Sequence, residues 1–421
     1  MNEHSASVNG ISIYSLTNPN LRSFCLSLYV RAGSIFEDLS NNGISHLFEH
    51  VVFRNIKNKY ENFYELLAMH GLCFQGSTYK KFVSFTIDGP QHEFDFAIEI
   101  LCGLFDEIKL TSHDFNNEKG RIKAEIREKD RRSSLDFYFD SIVWKNSEVE
   151  KIVLGYCKTV DRVSVKKINE FRQKVLSAGN CFIYATGNIS DKNLDALNKK
   201  ISELDISQSN PGFTNTVTVN NDFFHREKKI WIKNNYWHYI QIGFDVDCSK
   251  YPGGVYDLLY ALLFNGDKAL VYNYLSEDNP IIYSYDSTFE QYDNVGNINF
   301  SFEVDRNKIE DVFKTVVELL NAAKDGRFNF EANLNYEMFN WELDLDNPDN
   351  LNWNMAYYNH ILKTQPIDYS DEFYGRFRVT KEQIIDAAKY IFRRCNMTVA
   401  VKGDRKKINA EAIEKILESL D

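Results

Sequence analysis

The chain carries the same pattern near the end of each of its two halves: a buried strand that closes on a glycine turn. The first copy reads NCFIYATGN (180–188) and the second reads NMTVAVKGD (396–404). Upstream of each copy, a strand, a helix and further strands follow in the same order. A chain of 421 residues is also too long for one ordinary core. The pattern therefore predicts an internal duplication of an α+β unit of about 200 residues.

A polar segment separates the two copies. The stretch DISQSNPGFTNTVTVNND (205–222) contains a proline next to a glycine and lacks any hydrophobic periodicity. We therefore predict a linker over 206–222, an N-terminal half over 1–205 and a C-terminal half over 223–421.

Charge and cysteine usage exclude several classes of protein. A formal net charge of −11 is unsuited to holding nucleic acid by general electrostatics. The seven cysteines are scattered and form no C-x-x-C pair, which argues against a disulfide framework and a thiolate zinc site. The N-terminus lacks a signal-peptide pattern, and no apolar run approaches the length of a membrane span. We expect a cytoplasmic protein that binds neither nucleic acid nor membranes.

The segment NNGISHLFEHVVFRN (41–55) contains the most specific chemical motif. Its apolar residues recur at helical spacing, so His46 and His50 share one helix face and Glu49 lies beside them. Two imidazoles can bind one Zn²⁺, and a glutamate outside the ligand set can act as a base toward water. The alternative is a helix with two surface histidines. The motif favours the metal site, because the other seven histidines make no such pair.

A catalytic zinc site needs a third protein ligand. The charged helix predicted from about Phe115 to Arg132 offers Glu118, Glu125 and Glu128. Glu118 and Glu125 are two helical turns apart and share a face. Spacing alone does not choose among the three, and it is equally typical of a solvated charged helix.

The segment VRAGSIFEDLSNNGISHLFEHVVFRN (30–55) resembles the signature of the pitrilysin-type zinc peptidases, the clan of insulin-degrading enzyme and the mitochondrial processing peptidase. In length the chain is similar to the short-chain, bacterial-type branch. The resemblance implies two α/β-sandwich halves, each a mixed, largely antiparallel sheet with helices packed on one face. Together the halves would form half of a clamshell, and the C-terminal half would lack a metal site.

The resemblance also assigns roles. In the family, a glutamate about 75 residues after the motif is the third ligand, and another glutamate seven residues earlier supports it. Glu125 in KAEI and Glu118 in NNEK match these positions. The resemblance therefore implies one Zn²⁺ per chain held by His46, His50 and Glu125, with Glu49 as general base and Glu118 orienting a ligand.

Two further segments match substrate-binding parts of the family. CFQGSTYKKFVSF (73–85) resembles the strand that pairs with substrate backbone, which implies substrate contacts at Phe74, Gln75, Gly76 and Ser77. The family usually has Asn-Ala where this chain has Gln75-Gly76. The family's second half also carries an arginine and a tyrosine, seven residues apart, that reach the substrate. LSEDNPIIYSYD (275–286) keeps the tyrosine as catalytic Tyr283, but Ser276 replaces the arginine.

These features predict a zinc-dependent endopeptidase that cleaves peptides or unfolded segments inside a closed dimeric chamber. Serine supplies neither the charge nor the planar fork of arginine. The first alternative is therefore a zinc-bearing subunit that needs a homologous partner with the arginine–tyrosine pair. The second is a non-catalytic peptide-binding scaffold, although a scaffold has no need to keep Glu49 beside the ligands. The expected partners are a peptide substrate and a second homologous subunit, identical or different.

Overall fold

A computed structural model describes residues 3–129, 134–209, 212–213, 217, 219, 222–363, 367 and 376–420. The chain forms two compact units, each built from three segments. The first unit comprises Met1–Asp130, Glu148–Asn215 and Glu342–Ser370, and the second comprises Arg131–Ser147, Thr216–Trp341 and Asp371–Asp421. Each unit thus includes a segment from the opposite half of the sequence. The boundaries 1–205 and 223–421 remain a proposal for how the duplicated sequence divides. Within the predicted linker, 210–211, 214–216, 218 and 220–221 lie outside the described residues.

The first unit contains a six-stranded sheet and the second a five-stranded sheet. The strands are β1 (His4–Val8), β2 (Ile11–Thr17), β3 (Ser23–Val30), β4 (Cys73–Thr78), β5 (Val83–Pro90), β6 (Cys181–Gly187), β7 (Ile230–Asn234), β8 (Tyr239–Asp247), β9 (Tyr285–Tyr292), β10 (Val295–Glu303) and β11 (Met397–Gly403).

The helices vary from single turns to seventeen residues. They are α1 (Ile44–Lys57), α2 (Phe63–Met69), α3 (Phe94–Gly103), α4 (Ser112–Glu128), α5 (Leu135–Val143), α6 (Cys157–Asp161), α7 (Val165–Val175), α8 (Asp191–Ser202), α9 (Gly253–Phe264), α10 (Leu270–Tyr272), α11 (Ile309–Lys324), α12 (Phe330–Asp344), α13 (Pro348–Met355), α14 (Lys381–Ile391) and α15 (Ala410–Leu417). Two π-helical turns, Asn273–Glu277 and Ala356–Leu362, continue α10 and α13.

The two sheets share one strand order over five strands, and the first sheet has β1 as an additional edge strand. The first is β1-β2-β6-β3-β5-β4 and the second is β7-β11-β8-β10-β9. In each sheet, the strand that closes the half (β6 or β11) pairs in parallel with β2 or β7 and antiparallel with β3 or β8. The other pairings are antiparallel. The duplicated, mixed and largely antiparallel α+β architecture expected from the sequence is therefore confirmed.

Strand β3 shows how the first sheet is packed. Phe24, Leu26 and Leu28 alternate along one face and join the main apolar core with residues of α1 and α3. This is the helical layer that the sequence predicts on one face. The opposite face of β3 and β6 is covered by α13, where Tyr29 donates its hydroxyl hydrogen to Asn352 Oδ1 at 2.9 Å. This second layer, a helix from the sequence's C-terminal half, is an addition that the pattern does not predict.

The second unit has the mirrored arrangement. Helix α5, from the N-terminal half of the sequence, packs against β8 and β11. Gly243 in β8 makes this contact possible, because a Cβ atom there would lie 2.5 Å from the Phe139 ring of α5. Each sheet is thus covered on one face by a helix donated from the other half of the sequence.

Strand β4 is an edge strand of the first sheet. It pairs with β5 on one side, with Gly76 opposite Phe85, and has no strand on its other side within the described chain. An edge strand presents unpaired backbone donors and acceptors along its open side. It can therefore accept an additional strand.

Two negative expectations concern membranes and disulfides. Within the part of the chain that the structure describes, no helix is both long and apolar enough to cross a bilayer. All seven cysteines are free thiols, and Cys25, Cys181 and Cys248 are buried.

Candidate metal centre

Helix α1 holds the two histidines of the motif. Leu47, Phe48 and Val51 are fully buried in the core, and this anchors one face of the helix. His46 and His50, one turn apart, lie on another face with their ring centroids 4.7 Å apart and nearly perpendicular. The motif's helical spacing therefore brings both imidazoles together.

The start of α1 is fixed by a buried carboxylate that the sequence motif does not reveal. Glu37 Oε2 accepts hydrogen bonds from the backbone N–H of Gly43 (2.7 Å) and from Asn42 Nδ2 (2.8 Å), while Oε1 accepts from Ser45 N–H (2.8 Å). Gly43 at the N-cap has φ 95°, and it offers no side chain to cap the helix. Glu37 performs that task and sets the position of His46. A helix preceded by glycine rather than by a capping residue is the one sequence signal for such a carboxylate.

Helix α4 supplies the carboxylates. It begins at the N-cap Thr111, whose hydroxyl accepts a hydrogen bond from the Asp114 N–H at 3.1 Å. Arg54 of α1 donates to Asp114 Oδ1 at 2.6 Å and ties the two helices together. Glu118 and Glu125, two turns apart on α4, both reach the histidines of α1.

Interatomic distances distinguish among the carboxylates of Glu118, Glu125 and Glu128, whereas helical spacing alone does not identify the third ligand. Glu125 Oε2 lies 3.6 Å from His46 Nε2 and 4.0 Å from His50 Nε2. One ligand atom from each of these three residues falls within 4.8 Å of the others, and they form a candidate metal site. Glu118 Oε2 instead lies 3.6 Å from Nδ1 of His50, the ring nitrogen turned away from Glu125. Glu128 is exposed and does not belong to the cluster.

The electrostatics of the cluster suit a cation. Burial lowers the pKa of His46 to about 3, which keeps its imidazole in the neutral form that binds metals. Burial also disfavours protonation of His50, but the hydrogen bond to Glu118 and the charges of Glu49, Glu118 and Glu125 together raise its pKa. Among the described residues, none makes a hydrogen bond to the buried atoms His46 Nδ1 and Glu118 Oε1. Two imidazoles and the Glu125 carboxylate are thus a donor set that fits a divalent metal such as zinc, and Glu49 and Glu118 add negative charge beside it.

Glu49 lies outside the ligand group and against the edge strand. The Thr78 hydroxyl donates to Glu49 Oε2 at 3.0 Å. A Cβ atom on Gly76 would lie 2.9 Å from Glu49 Oε1 and 2.8 Å from the Phe53 ring, so glycine allows β4 to approach the carboxylate closely. Burial raises the pKa of Glu49, although His50 and the Thr78 hydrogen bond oppose that rise. Sequence reasoning did not single out Thr78.

Comparison with known proteins identifies the family. Residues 13–155 match the family described as insulinase (peptidase family M16), and residues 162–332 match the M16 inactive domain. The first match includes the whole histidine–glutamate cluster. The chain belongs to the M16 peptidase family. The second match begins after the motif and contains none of its residues.

Individual relatives are distant. Over 324 residues the chain is 21% identical to an uncharacterized zinc protease, YmxG, of Bacillus subtilis, an alignment that covers 75% of this chain and 77% of that protein. It is 23% identical over 190 residues to the mitochondrial-processing peptidase subunit beta of Saccharomyces cerevisiae, covering 44% of this chain and 41% of that subunit. A protease from Helicobacter pylori shares the fold, with a TM-score of 0.81, 18% identity, and coverage of 96% and 99% of the two chains.

The remaining residues expected at the site fall into two groups. In β4 the Phe74 ring is buried and stacks on Phe53 at 4.2 Å, so its side chain belongs to the core. Gln75 is exposed, and Ser77 is half-buried.

Ser276 and Tyr283 lie in the second unit. Ser276 lies in the π-helical turn after α10, and Tyr283, 97% exposed, precedes β9.

Proposed function

We propose that this M16 member is a zinc-dependent endopeptidase that cleaves peptides or unfolded segments bound in extended form. One observation carries the proposal. His46, His50 and Glu125 converge on one point, while Glu49 remains outside that group and touches the open edge strand. A metal site, a base and a place for an added strand thus adjoin one another.

We assign the zinc ligands to His46, His50 and Glu125, one ion per chain, and the support of His50 to Glu118. Bound zinc would polarise a scissile carbonyl and acidify a water molecule. Glu118 would contribute through the contact of its Oε2 with His50 Nδ1 at 3.6 Å, which favours the ring orientation that turns Nε2 toward Glu125.

Glu49 would be the general base. Its carboxylate takes a proton from the attacking water and delivers it to the leaving amine. Thr78 orients the carboxylate through the hydrogen bond to Oε2, which leaves Oε1 beside Gly76 for the water. Burial raises the pKa of Glu49, which makes its carboxylate a stronger base toward the attacking water.

Strand β4 would bind the substrate as an added strand. Main-chain hydrogen bonds along Phe74, Gln75, Gly76 and Ser77 supply affinity that does not depend on the peptide's sequence. The buried Phe74 ring leaves only the backbone of that residue for the peptide. The side chains of Gln75 and Ser77 remain available for contacts with the substrate peptide.

The proposal also includes a closed dimeric chamber and two residues of the C-terminal half. By resemblance to the family, Tyr283 would hold the scissile carbonyl oxygen, Ser276 would adjoin the substrate, and two chains would enclose it. A cytoplasmic location stays a prediction from cysteine usage. The exposure of Tyr283 is compatible with a contact to substrate.

Ser276 supports a second candidate, a zinc-bearing subunit completed by a homologous partner. The yeast relative is itself named as a subunit, beta, of the mitochondrial-processing peptidase. A partner would supply the arginine that Ser276 replaces, since losing one such electrostatic contact can cost about 10²–10³ in rate. Full peptidase activity of the purified chain alone would reject this candidate.

The decisive experiment is Glu49→Gln. We expect zinc content, measured by elemental analysis, to stay at one per chain while peptide cleavage falls by about 10²–10⁴-fold. The matched control is Glu128→Gln, an exposed glutamate of α4 that contacts none of the cluster. Undiminished cleavage by Glu49→Gln, or a loss of equal size in both variants, would contradict the role of Glu49.

A further inference from the structure

The first unit contains a second concave site, a pocket of about 200 Å³ between the end of β3 and the start of β6. Three cationic side chains and several aromatic rings line it, and no aspartate or glutamate of the described chain does. The lining residues that matter here are Tyr14, Arg31, Lys81, Phe182, His360 and Lys363.

Arg31 and Arg172 are half-buried arginines for which no carboxylate of the described residues lies within ion-pair distance. Arg172 donates to the Phe105 carbonyl oxygen, whereas the Arg31 side chain makes no hydrogen bond to a described residue. Burial lowers its pKa, and burial followed by the charge of Arg31 lowers the pKa of Lys363. Two like charges thus face one pocket that no aspartate or glutamate of the described residues lines, and like charges at close range are unfavourable. Three half-buried arginines do contact a carboxylate: Arg54, Arg226 and Arg376.

The backbone at Lys363 is equally unusual. Lys363 has φ 60° and caps the π-helical turn Ala356–Leu362. The other non-glycine residues described with positive φ are all asparagine or aspartate, which tolerate this conformation: Asn9, Asn62, Asn146 and Asp293. A lysine held there costs free energy, and such strain concentrates at ligand-binding positions. π-Helical turns have the same tendency.

Aromatic rings form the walls of the pocket. His360 stacks on Tyr14 with centroids 3.7 Å apart, and Phe182 stacks on Tyr29 at 5.0 Å. The carboxylate of Glu3 contacts His360 Nε2 at 3.2 Å and accepts a hydrogen bond from Tyr184, but Glu3 does not line the pocket. Rigid walls of this kind hold a preformed cavity open.

We propose that this pocket binds a small oxyanion, a phosphate or a carboxylate group, between the Arg31 guanidinium and the Lys363 ammonium. The planar fork of arginine matches two oxygens of either group, and a lysine adds a point charge. The anion would offset the repulsion between the two cations. The site uses none of the residues assigned to peptide cleavage, and it stands or falls independently of that activity.

The test is titration calorimetry of the full-length chain with inorganic phosphate and, separately, with acetate, each at constant ionic strength set with chloride. We expect binding of at least one anion, and the two titrations show which group the pocket prefers. Arg31→Gln should weaken that binding by about tenfold or more, because a bidentate charged contact is lost. Lys363→Gln should weaken it too, and since Lys363 is exposed, this variant keeps the test open if Arg31→Gln does not fold.

The control is Arg22→Gln, an exposed arginine immediately before β3, at the opposite end of that strand from Arg31. It should bind the anion as the unsubstituted chain does. The proposal is overturned if neither phosphate nor acetate binds. Equal weakening by Arg22→Gln, or unchanged binding in both pocket variants, would also overturn it by pointing to a general effect of surface charge.

Discussion

Helices α1 and α9 occupy equivalent places in the two duplicated units, because each follows the strand that pairs with the closing strand. Helix α9 is packed almost wholly with apolar side chains, among them Leu258, Leu259 and Leu262. Helix α1 has a comparable apolar face but also places His46 and His50 beside the carboxylates of α4. The same frame therefore serves as a plain core in one unit and carries a candidate metal centre in the other.

Burying the imidazoles and carboxylates at α1 is energetically unfavourable, and the first unit compensates for it with additional polar groups. A half-buried imidazole or carboxylate is unfavourable unless hydrogen bonds or opposite charges accompany it. Glu118 meets His50, Thr78 meets Glu49, and Glu37 caps the helix start. Helix α9 starts after Pro252 with no side-chain cap. The polar groups on one of two equivalent helices are thus supported by residues of three other segments: α4, β4 and the segment before α1.

The largest effect that tests this contrast is the loss of a ligand. His46→Gln removes one of three donors, so both zinc content and peptide cleavage should collapse, whereas Glu49→Gln loses cleavage alone. The drop in zinc affinity should exceed the 10- to 100-fold typical for loss of a supporting residue. Elemental analysis and chelator competition measure it.

The exposed His113 on α4 offers the control, since His113→Gln changes a histidine of the same unit outside the cluster. It should keep its zinc. If His46→Gln still binds one zinc per chain with undiminished affinity, His46 of α1 is not a zinc ligand, and the contrast with α9 is lost.

Much of this architecture can be predicted from the sequence, because strong periodicity marks its elements. NCFIYATGN and NMTVAVKGD become β6 and β11, which hold the same place in their sheets. The charged helix expected from about Phe115 to Arg132 is Ser112–Glu128. Local hydrophobic patterns and turn residues determine such elements with little help from distant contacts.

The exchanged helices could not be predicted in this way. Helix α13 is short and rich in asparagine, and its buried face combines the apolar Leu351 and Met355 with the polar Asn352. Asn352 makes buried hydrogen bonds to Tyr29 and to the Tyr184 carbonyl, so a polar residue interrupts the apolar stripe. Similarly, helical spacing placed Glu118 and Glu125 on one face without saying which approaches both histidines. Only the packing of α4 against α1 makes that distinction.

A smaller effect should follow from Glu118→Gln. The amide oxygen can still accept from His50 Nδ1, but the negative charge that favours the ligand orientation is lost. We expect zinc affinity to fall by about 10- to 100-fold, with one zinc still bound at saturation. Chelator competition provides the measurement, and Glu128→Gln on the same helix is the control. An affinity equal to that of the control would mean that His50 needs no support.

The smallest expected effect concerns Gly76, where β4 meets Glu49. Gly76→Ala creates no backbone strain, since Gly76 is not among the glycines with positive φ, but the new Cβ lies 2.9 Å from Glu49 Oε1. The ends of Glu49 and Phe53 must move by less than 1 Å. Cleavage should therefore fall by about tenfold or less, below the 10²-fold cost of a 1 Å misplacement. The measurements are kcat and zinc content, and zinc content should not change.

Gly120→Ala is the matched control, because nothing lies within 4 Å of a Cβ atom at that position on α4. Replacing glycine by alanine inside a helix should also raise the free energy of unfolding by up to about 1 kcal/mol. This increase in stability would show that the control variant is correctly folded. If Gly76→Ala keeps full kcat, the close approach of the edge strand contributes nothing to the placement of Glu49. Helix α1 and Thr78 alone would then position Glu49. The difference between the two units would lie only in the residues of α1 and α4 and in the hydroxyl of Thr78.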